Sequence, residues 1–257
     1  MQHRLNTGHA PGTIALACGN QPRYYEFTDS MENLHVPAGT VFNKRRSCDV
    51  AYNFNRATRD AKGEWVWYLG DDHQFAPDTL LKFLDYNVDV VVPISPCKTA
   101  PFMPCVMHGP TDGRVWDDNM LLYTWEELSG DGLMELPKGD FIGQAGMLVR
   151  KRVLDAIGDP WFKTGQFNAG RLQEDLWFCK EIKELGFKIM VDRSVIFDHW
   201  FAMGVTARKH EGVYVPAIKS GATVMVLPDA RPSWDISTGV GPGKVTWMPV
   251  PGKEKAA

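Results

Sequence analysis

Short apolar runs alternate with amphipathic segments along the first half of the chain. The run at 13–18 (TIALAC) ends at Gly19, which predicts a buried strand that opens into a loop. A second run at 65–69 (WVWYL) follows a helix-like segment at 51–61, which predicts a helix, a turn and another buried strand. This second strand leads directly into an acidic stretch at 71–73 (DDH).

The next segment continues the alternation. Pro77 and Asp78 open a predicted helix, and residues 88–94 return as an apolar strand. Repeated strand–helix alternation indicates an α/β fold with a mostly parallel central sheet, right-handed crossovers and flanking helices. The ligand crevice of such a sheet lies at the carboxyl ends of its strands, so we expect the acidic stretch at 71–73 to lie there.

The pattern weakens in the middle of the chain. Between residues 97 and 140 the sequence is rich in Pro, Gly and aromatic residues, and we expect acceptor-facing loops and a hairpin at 114–125. A regular pattern resumes at residues 142–149, which predict a Gly-rich strand, and at residues 151–157, which predict a helix.

The last predicted helix begins near Glu174, carries an apolar stripe at three-residue spacing and stops at Gly186. The remaining sequence is punctuated by Gly and Pro, and its end, from 233 to 257, has the character of an extended tail. We therefore expect one domain over residues 1–205 and a C-terminal extension over 206–257 that packs on the domain or trails from it.

Composition narrows the class of protein. The 257 residues are 44% hydrophobic and 23% charged with a net charge of −3, which is typical of a folded protein and offers no basic stripe for nucleic acid. No window approaches the roughly 18 apolar residues of a membrane span, and the start of the chain lacks the features of a signal peptide. Five scattered cysteines suit a reduced compartment. A cytoplasmic protein without a membrane span is expected.

Adjacent carboxylates occur on the loop after the second predicted strand, at Asp71 and Asp72. Carboxylate oxygens bind hard divalent cations such as Mg²⁺ and Mn²⁺, and a cation held there would bridge a pyrophosphate. It would act as a Lewis acid on the negative charge that develops on a leaving diphosphate. An Asp-rich turn that caps the following helix is the alternative interpretation.

The sequence around these acids resembles a known family. Residues 63–78 (GEWVWYLGDDHQFAPD) resemble the segment of family-2-like GT-A glycosyltransferases that ends in the Asp-X-Asp metal motif and continues into a Pro-Asp helix start. The resemblance implies that Asp72 is a metal ligand. The chain departs from the family at Gly70, where the family often has its first Asp, so either Asp71 substitutes or the donor ribose is held in another way.

Two later blocks match the family in the same order. Residues 173–192 resemble its Glu-Asp helix, which implies that Asp175 or Glu174 is the general base for the acceptor hydroxyl. The alternative is that these acids only complement the helix dipole. Residues 198–200 (DHW) resemble the block with the family's late metal-binding histidine, which implies His199 as a ligand, whereas a packed or surface histidine is the alternative.

Weaker parts of the resemblance concern the donor. Residues at the positions of Cys18, Asn20, Asn53 and Arg56 would contact the base and ribose, and the strand that contains Gly146 would line the sugar pocket. Capping and surface ion pairs are the alternative roles for the polar members of this set.

Together, the matching blocks cover roughly residues 13–205 and imply a GT-A glycosyltransferase. The expected activity is metal-dependent transfer of a sugar from a nucleotide diphosphate donor, with Mn²⁺ or Mg²⁺ as cofactor and with inversion, although a retaining mechanism stays open. The acceptor is open among glycans, proteins and modified nucleic-acid bases. A nucleotidyltransferase and a non-catalytic nucleotide-sugar-binding protein are the alternative functions.

Overall fold

The structure is a computed structural model of the chain. It describes residues 3–19, 24–47, 49–98, 102–109, 122–167, 170–201, 204–210, 213–220, 223–226 and 246–248. Asn20 and most of the hairpin expected at 114–125 lie outside these residues.

The described residues form five helices and nineteen strands. The helices are α1 (Tyr25–Asn33), α2 (Val50–Arg59), α3 (Thr79–Asp85), α4 (Lys151–Ile157) and α5 (Glu174–Glu184). The strands up to residue 94 are β1 (His3–Leu5), β2 (Thr13–Cys18), β3 (His35–Pro37), β4 (Val41–Arg46), β5 (Trp65–Gly70), β6 (His73–Gln74) and β7 (Val90–Ile94). The later strands are β8 (Val106–Met107), β9 (Leu133–Glu135), β10 (Phe141–Ile142), β11 (Leu148–Arg150), β12 (Gly165–Phe167), β13 (Gly170–Leu172), β14 (Ile189–Ile196), β15 (Asp198–His199), β16 (Gly204–His210), β17 (Val213–Ser220), β18 (Thr223–Val226) and β19 (Thr246–Met248).

A seven-stranded sheet in the order β4-β2-β5-β11-β7-β14-β9 forms the centre of the fold. Strands β4, β2 and β5 are mutually parallel, and β14 is parallel to β7. Strand β11 is antiparallel to both β5 and β7, and β9 is antiparallel to β14. Five strands therefore run in one direction, and the expected α/β class with a mostly parallel sheet is confirmed.

The strand at 65–69 and the strand at 88–94 were expected to form one βαβ unit. Their order and direction are as expected, but β11 lies between β5 and β7. Leu148 of β11 pairs with Trp67 on one side and with Val91 on the other. A strand of three residues leaves no periodic signal of its partners, so only long-range hydrogen bonding decides this position.

The apolar character of β5 reflects burial on both faces of the sheet. Val66 and Tyr68 point into the core beneath α2, α4 and α5, whereas Trp65, Trp67 and Leu69 point into the core beneath α1 and α3. The polar atoms of the aromatic residues are satisfied, because the Trp67 indole donates to the Gly146 carbonyl at 2.7 Å and the Tyr68 hydroxyl bonds to the hydroxyl of Thr58 at 2.8 Å. Each such ring buries roughly 150–250 Å², so these side chains contribute strongly to stability.

Local sequence explains where the main helices begin and end. Asp49 caps α2 by accepting the N–H of Tyr52 at 2.9 Å. Helix α5 begins at Glu174, as predicted, and the chain leaves it at Gly186, whose φ of +83° suits a residue without a side chain.

Contacts divide the chain into two compact units. The first comprises residues 1–96 and 103–200, and the second comprises 97–102 and 201–257. The second unit contains the antiparallel sheet β16-β17-β18-β19, so residues 246–248 of the expected tail form a strand. The boundary expected at residue 205 falls inside β16. No helix among the described residues has the length and apolar character needed to cross a membrane.

We predict that Gly146→Ala destabilises the protein by about 3 kcal/mol. Gly146 has a φ of +75°, and an added Cβ would approach Phe197 to 2.5 Å and Pro93 to 2.7 Å. Gly186→Ala is the matched control, because its φ is +83° but nothing lies within 4 Å of the added Cβ. The free energy of unfolding of this variant should fall by only about 1 kcal/mol. Urea unfolding measures both, and equal losses would contradict a steric role for Gly146.

Candidate functional site

Three parallel strands of the central sheet end at the same edge. Strand β5 ends at Gly70, β7 at Ile94 and β14 at Ile196, and the residues that follow these ends include Asp72, Pro96 and His199. The chain segments after β5 and β14 pair as a short antiparallel ribbon of β6 and β15. This pairing brings together the acidic stretch and the late histidine of the sequence analysis.

The carboxylate of Asp72 faces the imidazole of His199. The distance from Asp72 Oδ2 to His199 Nε2 is 3.6 Å, which is too long for a direct hydrogen bond. His199 Nδ1 lies 2.8 Å from the carbonyl oxygen of Pro96, and since a carbonyl only accepts, Nδ1 carries the proton. In the neutral ring Nε2 therefore presents its lone pair toward the carboxylate. Two electron-pair donors that face each other at this distance fit a cation between them.

A second histidine, His73, belongs to the same group. Its Nδ1 lies 2.8 Å from Asp72 Oδ1, and its ring stacks on that of His199 with centroids 4.1 Å apart. One ligand atom from each of Asp72, His73 and His199 lies within 4.8 Å of the others. Within the part of the chain that the structure describes, this is the one such group of His, Cys, Asp or Glu side chains.

Sequence reasoning missed His73 as a candidate ligand. The residue was part of the matching block, and its place directly after Asp72 was the available signal. Asp71, the other expected ligand, lies in the same turn but is not a member of the group. Its role as a ligand stays a prediction.

Neighbouring residues hold the group in place. The backbone N–H of Trp200 donates to the carbonyl of Asp72 at 2.8 Å, and the Trp200 indole donates to Gln74 Oε1 at 3.2 Å. At Gly70, an added Cβ would lie 2.8 Å from Asp72 Oδ1 and 3.2 Å from His73 Nδ1. A side chain at position 70 would therefore displace the Asp72 carboxylate or the His73 ring from its present position.

Glu174 and Asp175 occupy the first turn of α5. Helix α5 leads into β14 through a short turn at residues 185–188, so the two elements run in opposite directions. Asp175 Oδ1 accepts the N–H of Leu176 at 2.8 Å. Burial, together with the smaller effect of the neighbouring charge of Glu174, raises the pKa of Asp175 to about 7. A carboxyl group with this pKa exchanges a proton near neutral pH.

The residues expected to contact the donor have structural partners. Cys18 is buried at the end of β2, and the Asn53 amide donates to the carbonyl of Ser47 at 3.0 Å. Arg56 Nη1 donates to the hydroxyl of Tyr52 at 3.0 Å. Gly146 is buried, and its carbonyl accepts a hydrogen bond from the Trp67 indole. Contacts of these residues with a nucleotide or sugar stay predictions, as does that of Asn20, which lies outside the described residues.

Comparison with protein families matches residues 26–99 to the family described as Glycosyl transferase family 2. The resemblance expected from the sequence is therefore confirmed, and with it the GT-A α/β fold and the enzyme class, a glycosyltransferase. The matched segment contains Asp72 and His73, whereas His199 lies beyond it, so the grouping of these three residues rests on the geometry of this chain. Asp175 also lies beyond the matched segment.

Two solved structures are similar to this glycosyltransferase at low identity. One is A197 from STIV, with 13% identity, a TM-score of 0.48 and coverage of 74% of this chain and 86% of that chain. The other is GalNAc-T7 with UDP, GalNAc and Mn²⁺, with 12% identity, a TM-score of 0.44 and coverage of 74% of this chain and 44% of that chain. No curated protein matches the sequence.

We predict that Asp175 makes the folded protein less stable as the pH rises. Its pKa is about 7 in the folded state and about 3.9 in an unfolded chain. The folded state therefore binds more protons between these values, and stability falls from pH 4 to pH 7 and then levels off. Asp175→Asn should remove about 2 kcal/mol of this decline. Urea unfolding at pH 5 and pH 8 measures it, and an equal decline in both proteins would contradict the raised pKa.

Proposed function

We propose that the protein transfers a sugar from a nucleoside diphosphate donor to an acceptor hydroxyl with the help of Mn²⁺ or Mg²⁺. The observation that carries the proposal is the approach of Asp72 Oδ2 to His199 Nε2, at 3.6 Å, with the His199 ring oriented by a backbone carbonyl. The acceptor is not identified by these residues.

The donor set suits a divalent cation. Asp72 supplies carboxylate oxygens, and His73 and His199 supply imidazole nitrogens, a combination that Mn²⁺ accepts readily. The Pro96 carbonyl fixes the His199 ring, which is the outer-shell arrangement that metal-binding histidines use. When bound, the cation supplies neutralisation of the negative charge that develops on the leaving diphosphate.

Asp175 is proposed as the general base. Its carboxylate takes the proton of the acceptor hydroxyl while the hydroxyl oxygen bonds to the anomeric carbon and the bond from that carbon to the diphosphate breaks. Burial in the first turn of α5 brings its pKa to about 7, so the ionised form is present at neutral pH and still binds a proton well. One base opposite the leaving group supports direct displacement with inversion. Glu174, beside it, helps to set this pKa.

Removal of the cation-binding groups should abolish cation-dependent activity. We predict that Asp72→Ala and His199→Ala each weaken Mn²⁺ binding by at least about 100-fold, because losing a ligand costs no less than losing an outer-shell partner. Isothermal titration with Mn²⁺ measures binding, and hydrolysis of a panel of nucleoside diphosphate sugars measures activity.

Asp78→Ala is the matched control, because Asp78 is an exposed aspartate at the start of α3 whose side chain caps no backbone N–H. It should bind Mn²⁺ as the unaltered protein does. Undiminished Mn²⁺ binding by both Asp72→Ala and His199→Ala would refute the cation site. Release of a nucleoside monophosphate and a sugar 1-phosphate in place of the nucleoside diphosphate would refute the proposed bond cleavage.

The pH dependence of turnover tests the base. Activity should rise with pH through an apparent pKa near 7, because only the ionised carboxylate accepts a proton. Asp175→Asn should lower kcat by about 10²- to 10⁴-fold. Glu174→Gln should shift the profile to lower pH, since it removes a charge that raises the pKa of Asp175. Retention of both the rate and the profile in Asp175→Asn would exclude this residue as the base.

A further inference from the structure

A cleft of about 390 Å³ lies between α1, the residues around β6 and the end of β14. Its volume is within the range of small-molecule sites in proteins. The side chains used below come from three parts of the chain, namely Asp29, Asn33, Gln74, Phe75, Ile196 and Asp198.

The cleft lies behind the ribbon that carries the two histidines. In this ribbon His73 pairs with His199, and Gln74 pairs with Asp198. Because successive side chains of a strand point to opposite faces, Gln74 and Asp198 lie on the face away from the histidines. The cleft is therefore separate from the proposed cation site, although both use the same two strands.

The charge of the lining excludes an anionic ligand. Asp29 and Asp198 both contribute carboxylates, and the other lining residues are polar or apolar but uncharged. This field repels phosphate, so the cleft does not receive the diphosphate of the donor. A small cation would bind less well than a neutral ligand, because the Asp29 carboxylate already accepts a hydrogen bond from the amide of Asn33 at 3.1 Å.

The mixture of groups matches a sugar ring. The Asn33 amide nitrogen donates to Asp29, so its oxygen can accept, whereas the Gln74 oxygen accepts from an indole and its amide nitrogen can donate. With the carboxylates, which accept, these groups offer the donors and acceptors that the hydroxyl groups of a saccharide require. Phe75 is buried beneath the cleft, whereas Ile196 is 54% exposed at its rim. An exposed isoleucine beside polar groups offers the apolar surface that the C–H face of a sugar covers.

We infer that this cleft binds a neutral saccharide unit, as a subsite for a glycan acceptor. The choice of a saccharide rests on the proposed function, whereas the cleft itself uses none of the residues assigned to the cation or to the base. Sugar binding in the cleft is therefore measurable without donor, metal or turnover.

The test is a titration followed by the backbone amide resonances of the ¹⁵N-labelled full chain in the presence of EDTA. The probes are the methyl glycosides of glucose, galactose and N-acetylglucosamine, with choline and inorganic phosphate as charged comparisons. At least one glycoside should produce saturable shifts that centre on Gln74 and Phe75. Asn33→Ala and Asp198→Ala should each weaken this binding at least tenfold.

Glu32→Ala is the matched control, because Glu32 is an exposed acid on α1 that does not line the cleft. It should bind the glycoside as the unaltered protein does, and thermal unfolding verifies that all variants are folded. The inference is overturned if no glycoside gives saturable shifts, if choline or phosphate binds there in preference to sugars, or if both cleft variants bind like Glu32→Ala.

The test of sugar binding in the cleft and the test of the proposed glycosyl transfer can fail independently. Failure of sugar binding together with Mn²⁺-dependent donor hydrolysis overturns the cleft and leaves the transferase supported. Sugar binding at the cleft without such hydrolysis supports the cleft and counts against the transferase.

Discussion

The pairing of β6 with β15 is the constraint on which the candidate site depends. These two-residue strands place His73 opposite His199, and the Asp72 carboxylate approaches both rings. Such short strands are weak by themselves, because they contribute few backbone hydrogen bonds. The hydrogen bonds from Trp200 to Asp72 and Gln74 extend this pairing beyond the two strands and stabilise it.

The aromatic core anchors this ribbon to the sheet. Phe197, which directly precedes β15, is fully buried, and its N–H donates to the carbonyl of Ile94 at 2.8 Å. The centroid of its ring lies 5.1 Å from that of Phe75, which directly follows β6 in the other strand of the ribbon. It lies 6.5 Å from the ring centroid of Trp67 in β5. Gly146 leaves the space that this cluster needs. Packing that stabilises the fold therefore also sets the position of the polar groups at the edge of the sheet.

Burial and helix geometry oppose each other at Asp175. The first turn of a helix favours a negative charge, which lowers the pKa of a carboxyl group there. Burial favours the neutral form and is the larger effect, so the net shift is upward to about 7. The cation-binding group thus depends on converging strand ends, whereas the raised pKa of Asp175 depends on desolvation.

Elements with strong local signals can be predicted from the sequence alone. The apolar run at 13–18, the strand from Trp65 and the helix from Glu174 were readable because burial on both faces, strand length and helix periodicity leave a pattern in consecutive residues. The acidic residues after β5 were placed at the sheet edge for the same reason.

The way in which these elements meet depends on contacts between distant parts of the chain. The insertion of β11 between β5 and β7, the stacking of His73 on His199 and the orientation of His199 by Pro96 all join residues that are distant in the chain. Such contacts depend on sheet order and on close packing, which leave no periodic trace in the sequence. The raised pKa of Asp175 has the same origin, because it depends on what covers the carboxyl group.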